Sequence, residues 1–264
     1  MLYYLKTLSI AIGILTSTLY AAFEGAEHFR TAFTGIDGIF PVSMNCPAQL
    51  PDRDIWLSMG YGQPLGCAWA AYSVIGVGGS IGSWRGAADA WLSGDKLYRE
   101  TSLSAALSRQ LHNRLTVGLS LAYHDVDISG HNTSNRELLF GGAVKTELSD
   151  RMNVTIWYNG QTLAREQAYE SLARQLYQLA VSSRIGDNNV LVIAIEKTPP
   201  FALRQLVEIE LLVWQELTLL AGYRTAPALL YAGVQLPYRR VSFSIRVSAH
   251  PIFGISTAFG LAFK

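Results

Sequence analysis

Bulky apolar residues alternate with small or polar residues along most of the chain beyond residue 54. LTVGLSLAYH (115–124), VSFSIRVSAH (241–250) and the C-terminal GISTAFGLAFK (254–264) each place most of their large apolar residues at odd positions. A period of two is typical of β-strands whose two faces meet different surroundings. It predicts an all-β fold of about fourteen strands, within a range of roughly 12–16. The predicted strands lie at 55–62, 68–74, 75–84, 98–111, 115–124, 138–148, 152–158, 177–185, 190–197, 204–214, 217–224, 229–236, 241–248 and 255–263.

The connections between these strands alternate in length. A transmembrane β-barrel has this asymmetry, with short periplasmic turns, longer external loops and an even number of antiparallel strands. In a soluble Greek-key sandwich, short and long connections are not expected to alternate in this way. The pattern therefore predicts a closed antiparallel barrel that crosses a membrane. Tight turns are predicted at 112–113, 149–150, 186–189, 215–216 and 237–240, and longer polar connections at 86–96, 125–137, 159–175, 197–203 and 224–229.

The two faces of the predicted strands differ in charge as a bilayer requires. The bulky face holds almost no charged residue, and Arg or Lys there would cost about 2–4 kcal/mol at the bilayer midplane. Phe259, Leu261 and Phe263 give the closing strand its lipid face. Charged residues on the smaller face are predicted to line the lumen, where they set pore electrostatics, anchor a plug or form plain salt bridges. The candidates on adjacent C-terminal strands are Glu208, Glu210, Arg224 and Arg246.

Composition narrows the class of protein further. The chain has 264 residues, of which 16% are charged, against roughly 25% in soluble domains. Its formal net charge is +1, so no global field attracts nucleic acid, and no nucleic-acid partner is expected. No stretch beyond the N-terminal region is long and apolar enough for a transmembrane helix.

The N-terminal region divides into two predicted segments ahead of the barrel at residues 52–264. Residues 1–22 contain one lysine, an apolar run and then small residues, which is typical of a secretory signal peptide. A short uncleaved anchor is the alternative. Residues 23–51 are rich in Gly and Pro without a steady period of two, and are predicted to form a plug or hatch. In an exported chain, Cys46 and Cys67 either form a disulfide or remain two buried thiols.

Two short motifs, one at Asn45–Leu50 and one at His250–Gly254, resemble motifs of FadL-like outer-membrane barrels, especially those of the PorV/PorQ type. In that group an Asn-Pro-Ala-x-x-Leu-like motif leads into the first strand, and a His-Pro-x-x-Gly motif precedes the last. The chain departs from the first motif at Cys46, which stands between its Asn and Pro. The matching residues are Asn45, Pro47, Ala48 and Leu50 in the plug motif, and His250, Pro251 and Gly254 in the closing hairpin.

This resemblance implies a barrel of about fourteen strands with the N-terminal segment folded into the lumen. Members of the group either transport hydrophobic molecules or act in the type IX protein secretion system. We therefore expect a channel for small hydrophobic molecules in the outer membrane of a diderm bacterium. The alternative is a PorV-like docking component, for which residues 159–175 would supply an amphipathic helix. The expected partners are outer-membrane lipids and the barrel assembly machinery. A channel would also bind a hydrophobic ligand, and a docking component would bind secretion-system proteins.

Enzyme chemistry has little support in the sequence. GVGGSIG (76–82) lacks the last glycine of a dinucleotide-binding loop, and GLSLA (118–122) lacks the final glycine of a nucleophile elbow. His124 beside Asp125 and Asp127 is the place where a hydrolytic site would lie. The same three residues together with His131 are the candidate metal ligands. Their spacing matches no recognised ligand pattern. We assign no catalytic residue, no cofactor and no metal.

Overall fold

The computed structural model describes residues 46–64, 71–129, 134–166, 175–186, 189–198, 203–214, 217–225, 228–250 and 254–263. Within these residues a 3₁₀ turn, Pro47–Gln49, precedes fourteen strands. The strands are β1 Ile55–Gln63, β2 Tyr72–Ile81, β3 Trp84–Gly94, β4 Tyr98–His112, β5 Leu115–Ile128, β6 Ser134–Ser149, β7 Met152–Glu166, β8 Leu176–Ile185, β9 Asn189–Lys197, β10 Arg204–Leu212, β11 Thr218–Arg224, β12 Leu229–Tyr238, β13 Val241–His250 and β14 Gly254–Phe263.

The strands form one closed antiparallel barrel. Each strand pairs with its neighbours in the chain, and β1 closes the ring by pairing with β14, where Leu57 lies opposite Phe263. Closure satisfies the backbone hydrogen bonds that an open sheet would leave exposed to lipid. The predicted fold class is therefore confirmed. The start of β1 and the end of β14 lie at the end of the barrel that carries the short turns.

The barrel is inverted relative to a soluble domain, because its large apolar residues point outward. Small and polar residues occupy the alternate, inward positions, as the burial patterns of β4 and β5 show. Among the described residues, no helix is sufficiently long and apolar to cross a membrane. The outward-facing apolar side chains of the strands fit the hydrocarbon layer of a bilayer. Exposed residues of this surface include Leu103, Leu107, Leu119, Leu121, Ile193, Ile195, Phe243, Ile245 and Phe259.

Four neighbouring strands, β4–β7, form a tall wall at the end of the barrel that carries the longer connections. They have 14–16 residues each, whereas the other strands have 7–11. The 15 residues of β4 span about 38 Å at a tilt of about 40°, against an apolar band of about 25 Å. The outer face of this extension carries the ion pairs Arg99–Asp127 and Arg136–Asp125, both at 3.4 Å. These charges place the extension outside the hydrocarbon.

The strand count was predicted correctly, but several strand positions were wrong. Residues 86–96 were expected to form a long connection, and most of them form β3. The described residues of the predicted strands 68–74 and 75–84 fall mainly in a single strand, β2, and in the tight turn after it. The connections 125–137 and 159–175 were expected to be irregular, yet β5, β6 and β7 extend into them. Beyond the bilayer the outward face no longer needs apolar residues, so the alternation fades while strand pairing continues.

Candidate functional site

The candidate site is the lumen, whose inward-facing residues form rows across neighbouring strands. A row consists of residues that lie directly opposite one another on successive strands. One row contains Tyr72, Gly62, Ala258, Arg246 and Gly233, on β2, β1, β14, β13 and β12 in turn. These rows show which inward side chains are neighbours, a relation that depends on the register of the sheet.

An aromatic and apolar cluster lines the lumen on the β2–β5 side. The Tyr72 and Trp91 rings meet edge to face, with centroids 6.3 Å apart and an interplanar angle of 68°. Both side chains are buried, and Tyr98 and Ile128 pack against the cluster. Such rings offer an aromatic guest large apolar contacts with a preferred geometry. The buried members are Tyr72, Val74, Trp91, Val126, Ala258 and Ala262, and we call them the aromatic cluster.

A polar network occupies the lumen face of the shorter strands β8–β12. Gln178 Nε2 donates a hydrogen bond of 2.7 Å to Glu196 Oε1, and Arg224 Nε lies 3.9 Å from Glu196 Oε2. The Tyr231 hydroxyl donates a hydrogen bond of 2.7 Å to Glu208 Oε2. Since buried charges are costly unless they are paired, these contacts make the carboxylates tolerable inside the barrel.

Arg246 borders this network and faces the lumen. Its guanidinium carbon lies 5.1 Å from the centroid of the Tyr231 ring. A Cβ added at Gly222 would lie 2.2 Å from that ring, so the ring rests on the glycine. Arg246 is only partly buried, whereas Arg204 and Arg224 are each 3% exposed. Arg246 is therefore the more accessible of these three lumen cations.

All four predicted lumen-charge residues have inward parity in the structure. Glu208, Glu210 and Arg224 are buried, and Arg246 is half-buried. The sequence did not identify the neutral partners Gln178 and Tyr231, nor the carboxylate of Glu196. No sequence signal marks them as partners, because their proximity depends on the register of β8–β12.

Two further carboxylates line the opposite wall. Ser104 donates a hydrogen bond to Asp89, and the Tyr98 hydroxyl donates one to Glu100. Both carboxylates are buried. Each carboxylate accepts a hydrogen bond from a hydroxyl group on its own or the neighbouring strand. These bonds offset part of the cost of burying the acidic groups.

The candidate hydrolytic residues His124, Asp125 and Asp127 lie on opposite faces of β5. His124 points into the lumen, whereas Asp125 and Asp127 point outward and pair with arginines. On its own row His124 lies between Ser102 and Glu137. The Ser102 hydroxyl forms no hydrogen bond within the described part of the chain. His131 lies outside the described residues, and the described ones contain no group of three potential metal ligands.

Residues Cys46–Leu50, here called the lumen segment, lie against the inner wall near the short-turn end. Cys46 and Ala48 pack with Ala143 and Trp157, while Leu50 packs with Trp56. Gln49 Nε2 donates a hydrogen bond of 3.2 Å to Thr155 Oγ1 on β7. The backbone of the segment passes directly over Gly118 of β5, where an added Cβ would lie 2.5 Å from the Pro47 carbonyl carbon.

Only part of the predicted plug motif lies within the described residues. Pro47, Ala48 and Leu50 belong to the lumen segment, but Asn45 and the rest of residues 1–45 lie outside the described residues. The signal peptide and the plug at 23–51 therefore remain predictions. The disulfide also remains one, because Cys67 lies outside the described residues.

The remaining predicted residues lie at the closing hairpin. His250 ends β13 opposite Gly254, which opens β14 with a φ of 91°, and Pro251 lies outside the described residues. A positive φ of this size suits glycine, because a Cβ would be strained there. Phe259 and Phe263 point outward and are exposed, and Leu261 has the same parity with partial burial.

Solved structures share this architecture at low sequence identity. The monoaromatic hydrocarbon channel CymD matches with a TM-score of 0.64 and 12% identity, covering 88% of this chain and 96% of CymD. The Pseudomonas putida toluene transporter TodX matches with a TM-score of 0.59 and 12% identity, covering 89% of this chain and 93% of TodX. The Acinetobacter baumannii outer membrane protein Omp33 matches with a TM-score of 0.53 and 9% identity, covering 81% of this chain and 98% of Omp33.

These likenesses establish the fold. No protein-family model matches the sequence, and no curated protein matches it. The structural similarity supports the FadL-like part of the predicted resemblance and gives no support to its PorV/PorQ part. The apolar exterior and this fold together point to an outer-membrane location in a Gram-negative bacterium.

Proposed function

We propose that the protein is an outer-membrane channel that passes small hydrophobic molecules through its lumen. The aromatic cluster carries this proposal, since it places buried Tyr72 and Trp91 inside a closed barrel. Apolar and aromatic side chains in the lumen favour hydrophobic molecules over ions. The fold shared with CymD and TodX, whose names describe hydrocarbon transport, agrees with this assignment.

We further propose that the N-terminal region restricts the lumen as a plug. The lumen segment supports this view, because Cys46, Ala48 and Leu50 are buried against the inner wall. Bound there, the segment narrows the short-turn end of the barrel. A docking role in secretion has no comparable support, because residues 159–166 of the proposed helical loop belong to strand β7.

Uptake of a labelled monoaromatic hydrocarbon by cells that carry the protein in their outer membrane tests the transport proposal. Val74→Asp places a charge in the aromatic cluster and should reduce uptake severalfold. Ser244→Asp is the matched control, because Ser244 faces the lumen on the same row, across Gly60 and Gly260 from Val74. A heat-modifiable band on gels would show that each variant forms a closed barrel.

The expected result is uptake above that of cells without the protein, reduced severalfold in Val74→Asp and kept in Ser244→Asp. Folded wild-type protein that gives no uptake above background would contradict the proposal. Equal uptake by wild type and Val74→Asp would show that molecules bypass the aromatic cluster.

A further inference from the structure

We propose that two arginines on the outer surface of the short-turn end, Arg109 and Arg239, bind the headgroups of anionic phospholipids in the periplasmic leaflet. Short turns mark the periplasmic end of an outer-membrane barrel. Each arginine lies over an aromatic ring that is itself exposed on the outer surface. The site lies outside the lumen, so the proposal is independent of what the channel transports.

Arg109 places a charge on a face that is otherwise apolar. Its outward neighbours along β4, Leu107 and Leu111, are 48% and 54% exposed, and Arg109 is exposed between them. On the adjoining strands it lies directly opposite Trp84 and Val117. Arg109 is three residues from the end of β4, about 8 Å along the barrel axis at a tilt of about 40°. From that depth its long side chain reaches the headgroup layer.

Aromatic rings orient both arginines. The guanidinium carbon of Arg109 lies 4.8 Å from the ring centroid of Trp84, and that of Arg239 lies 5.4 Å from the centroid of Tyr238. Trp84 begins β3 and Tyr238 ends β12, and aromatic residues at such strand ends form the interfacial girdle of a barrel. A guanidinium over a ring keeps its five N–H donors, because they lie in its own plane.

Arginines at the two ends of the barrel differ in their partners. On the outer face of the tall wall, Arg99 forms an ion pair with Asp127 at 3.4 Å. Among the described residues, neither Arg109 nor Arg239 has a carboxylate at ion-pair distance. A cation at the edge of the hydrocarbon is costly without a counter-charge. We therefore expect the membrane to supply the anion.

A phospholipid phosphate fits this role chemically. The planar fork of a guanidinium matches two oxygens of a phosphate, and such charge-assisted hydrogen bonds are among the stronger ones in proteins. In phosphatidylglycerol the phosphate charge is not compensated, whereas the ammonium of a zwitterionic headgroup offsets it. Free phosphate is less suited, because Leu107 and Leu111 beside Arg109 belong to the face that contacts acyl chains.

Native mass spectrometry of the full-length protein tests the proposal. The protein is released from micelles that contain equal amounts of phosphatidylglycerol and phosphatidylcholine with the same acyl chains. We expect wild type to retain phosphatidylglycerol with about fivefold preference at each arginine. Arg109→Gln and Arg239→Gln should each abolish the preference at one site. The double variant should retain the two lipids equally.

Arg99→Gln is the matched control, because it removes an exposed outward arginine from the opposite end of the barrel. It should keep the wild-type preference. Inorganic phosphate at matched ionic strength should not displace the retained lipid. A heat-modifiable band on gels shows that each variant is folded. If the double variant fails to fold, wild type at increasing NaCl replaces it, since screening should weaken the preference.

Equal retention of the two lipids by wild type would overturn the proposal. So would a preference that persists in the double variant or does not change with salt. An equal loss in Arg99→Gln would show a general effect of charge rather than two sites. Displacement by inorganic phosphate would show an anion site that does not recognise lipid. The uptake assay tests the transport function separately, so failure here leaves that function standing.

Discussion

Replacing Gly118 by alanine is the most direct perturbation of the lumen segment. The new Cβ would lie 2.5 Å from the Pro47 carbonyl carbon and 2.6 Å from the Ala48 amide nitrogen. Both atoms belong to the backbone, so the clash cannot be relieved by rotating a side chain. Overpacking of this kind costs about 1–3 kcal/mol. If the barrel holds its shape, this penalty falls on docking of the segment.

A penalty of about 1–3 kcal/mol lowers the ratio of docked to undocked segment by roughly 5- to 150-fold. We expect Gly118→Ala to raise the permeability of liposomes that contain the protein. In a Cys67→Ser background, we also expect Cys46, which is 4% exposed in the docked segment, to react faster with a maleimide. Both readouts report on the same displacement by independent means.

Gly142→Ala is the control for this experiment. Gly142 lies on the next strand, and an added Cβ there would lie 3.6 Å from a Leu119 methyl carbon, which is ordinary contact. This variant should behave as wild type. Folded Gly118→Ala protein with wild-type permeability and an unreactive Cys46 would refute the docking of the segment on β5.

Two further predictions concern the stability of the barrel. Tyr231→Phe keeps the ring over Gly222 but removes the hydrogen bond to Glu208. We expect the free energy of unfolding, measured with urea in lipid vesicles, to fall by about 1.5–3 kcal/mol. A loss under about 0.5 kcal/mol would show that the bond contributes little. Ile193→Arg on the outer face of β9 should cost about 2–4 kcal/mol, whereas Ile255→Arg near the start of β14 should cost about 0–1 kcal/mol. Equal costs at both positions would mean that the two sites lie at the same depth.

The alternation of residues predicted the strands that cross the bilayer because lipid enforces a bulky apolar outer face. Strand β13 meets this condition along its length, and its predicted position agrees with the structure to within two residues. Strand β3 does not, since Gly86, Ala88 and Ala90 are its outward residues near the middle. Because its outward residues are small and Trp91 points inward, β3 lacks the expected alternation, and most of its residues were predicted to be a connection.

The lumen could be predicted only in part, for a related reason. Parity along a strand shows which side chains share a face, and Glu208, Glu210, Arg224 and Arg246 have inward parity in the structure. Parity says nothing about which residues of different strands are neighbours, because that depends on the register around the ring. The stacking of Arg246 on Tyr231 could therefore not be derived from the sequence.

The polar network also connects strands that do not pair with each other. Arg224 on β11 approaches Glu196 on β9, across β10, and Tyr231 on β12 reaches Glu208 on β10, across β11. Strands β9–β11 are short, with 7–9 residues each, so each pair has few backbone hydrogen bonds. Contacts that bridge a whole strand stabilise this thin part of the wall from inside. The same contacts hold the Tyr231 ring that supports Arg246, so stability of the wall and orientation of the lumen cation depend on one set of side chains.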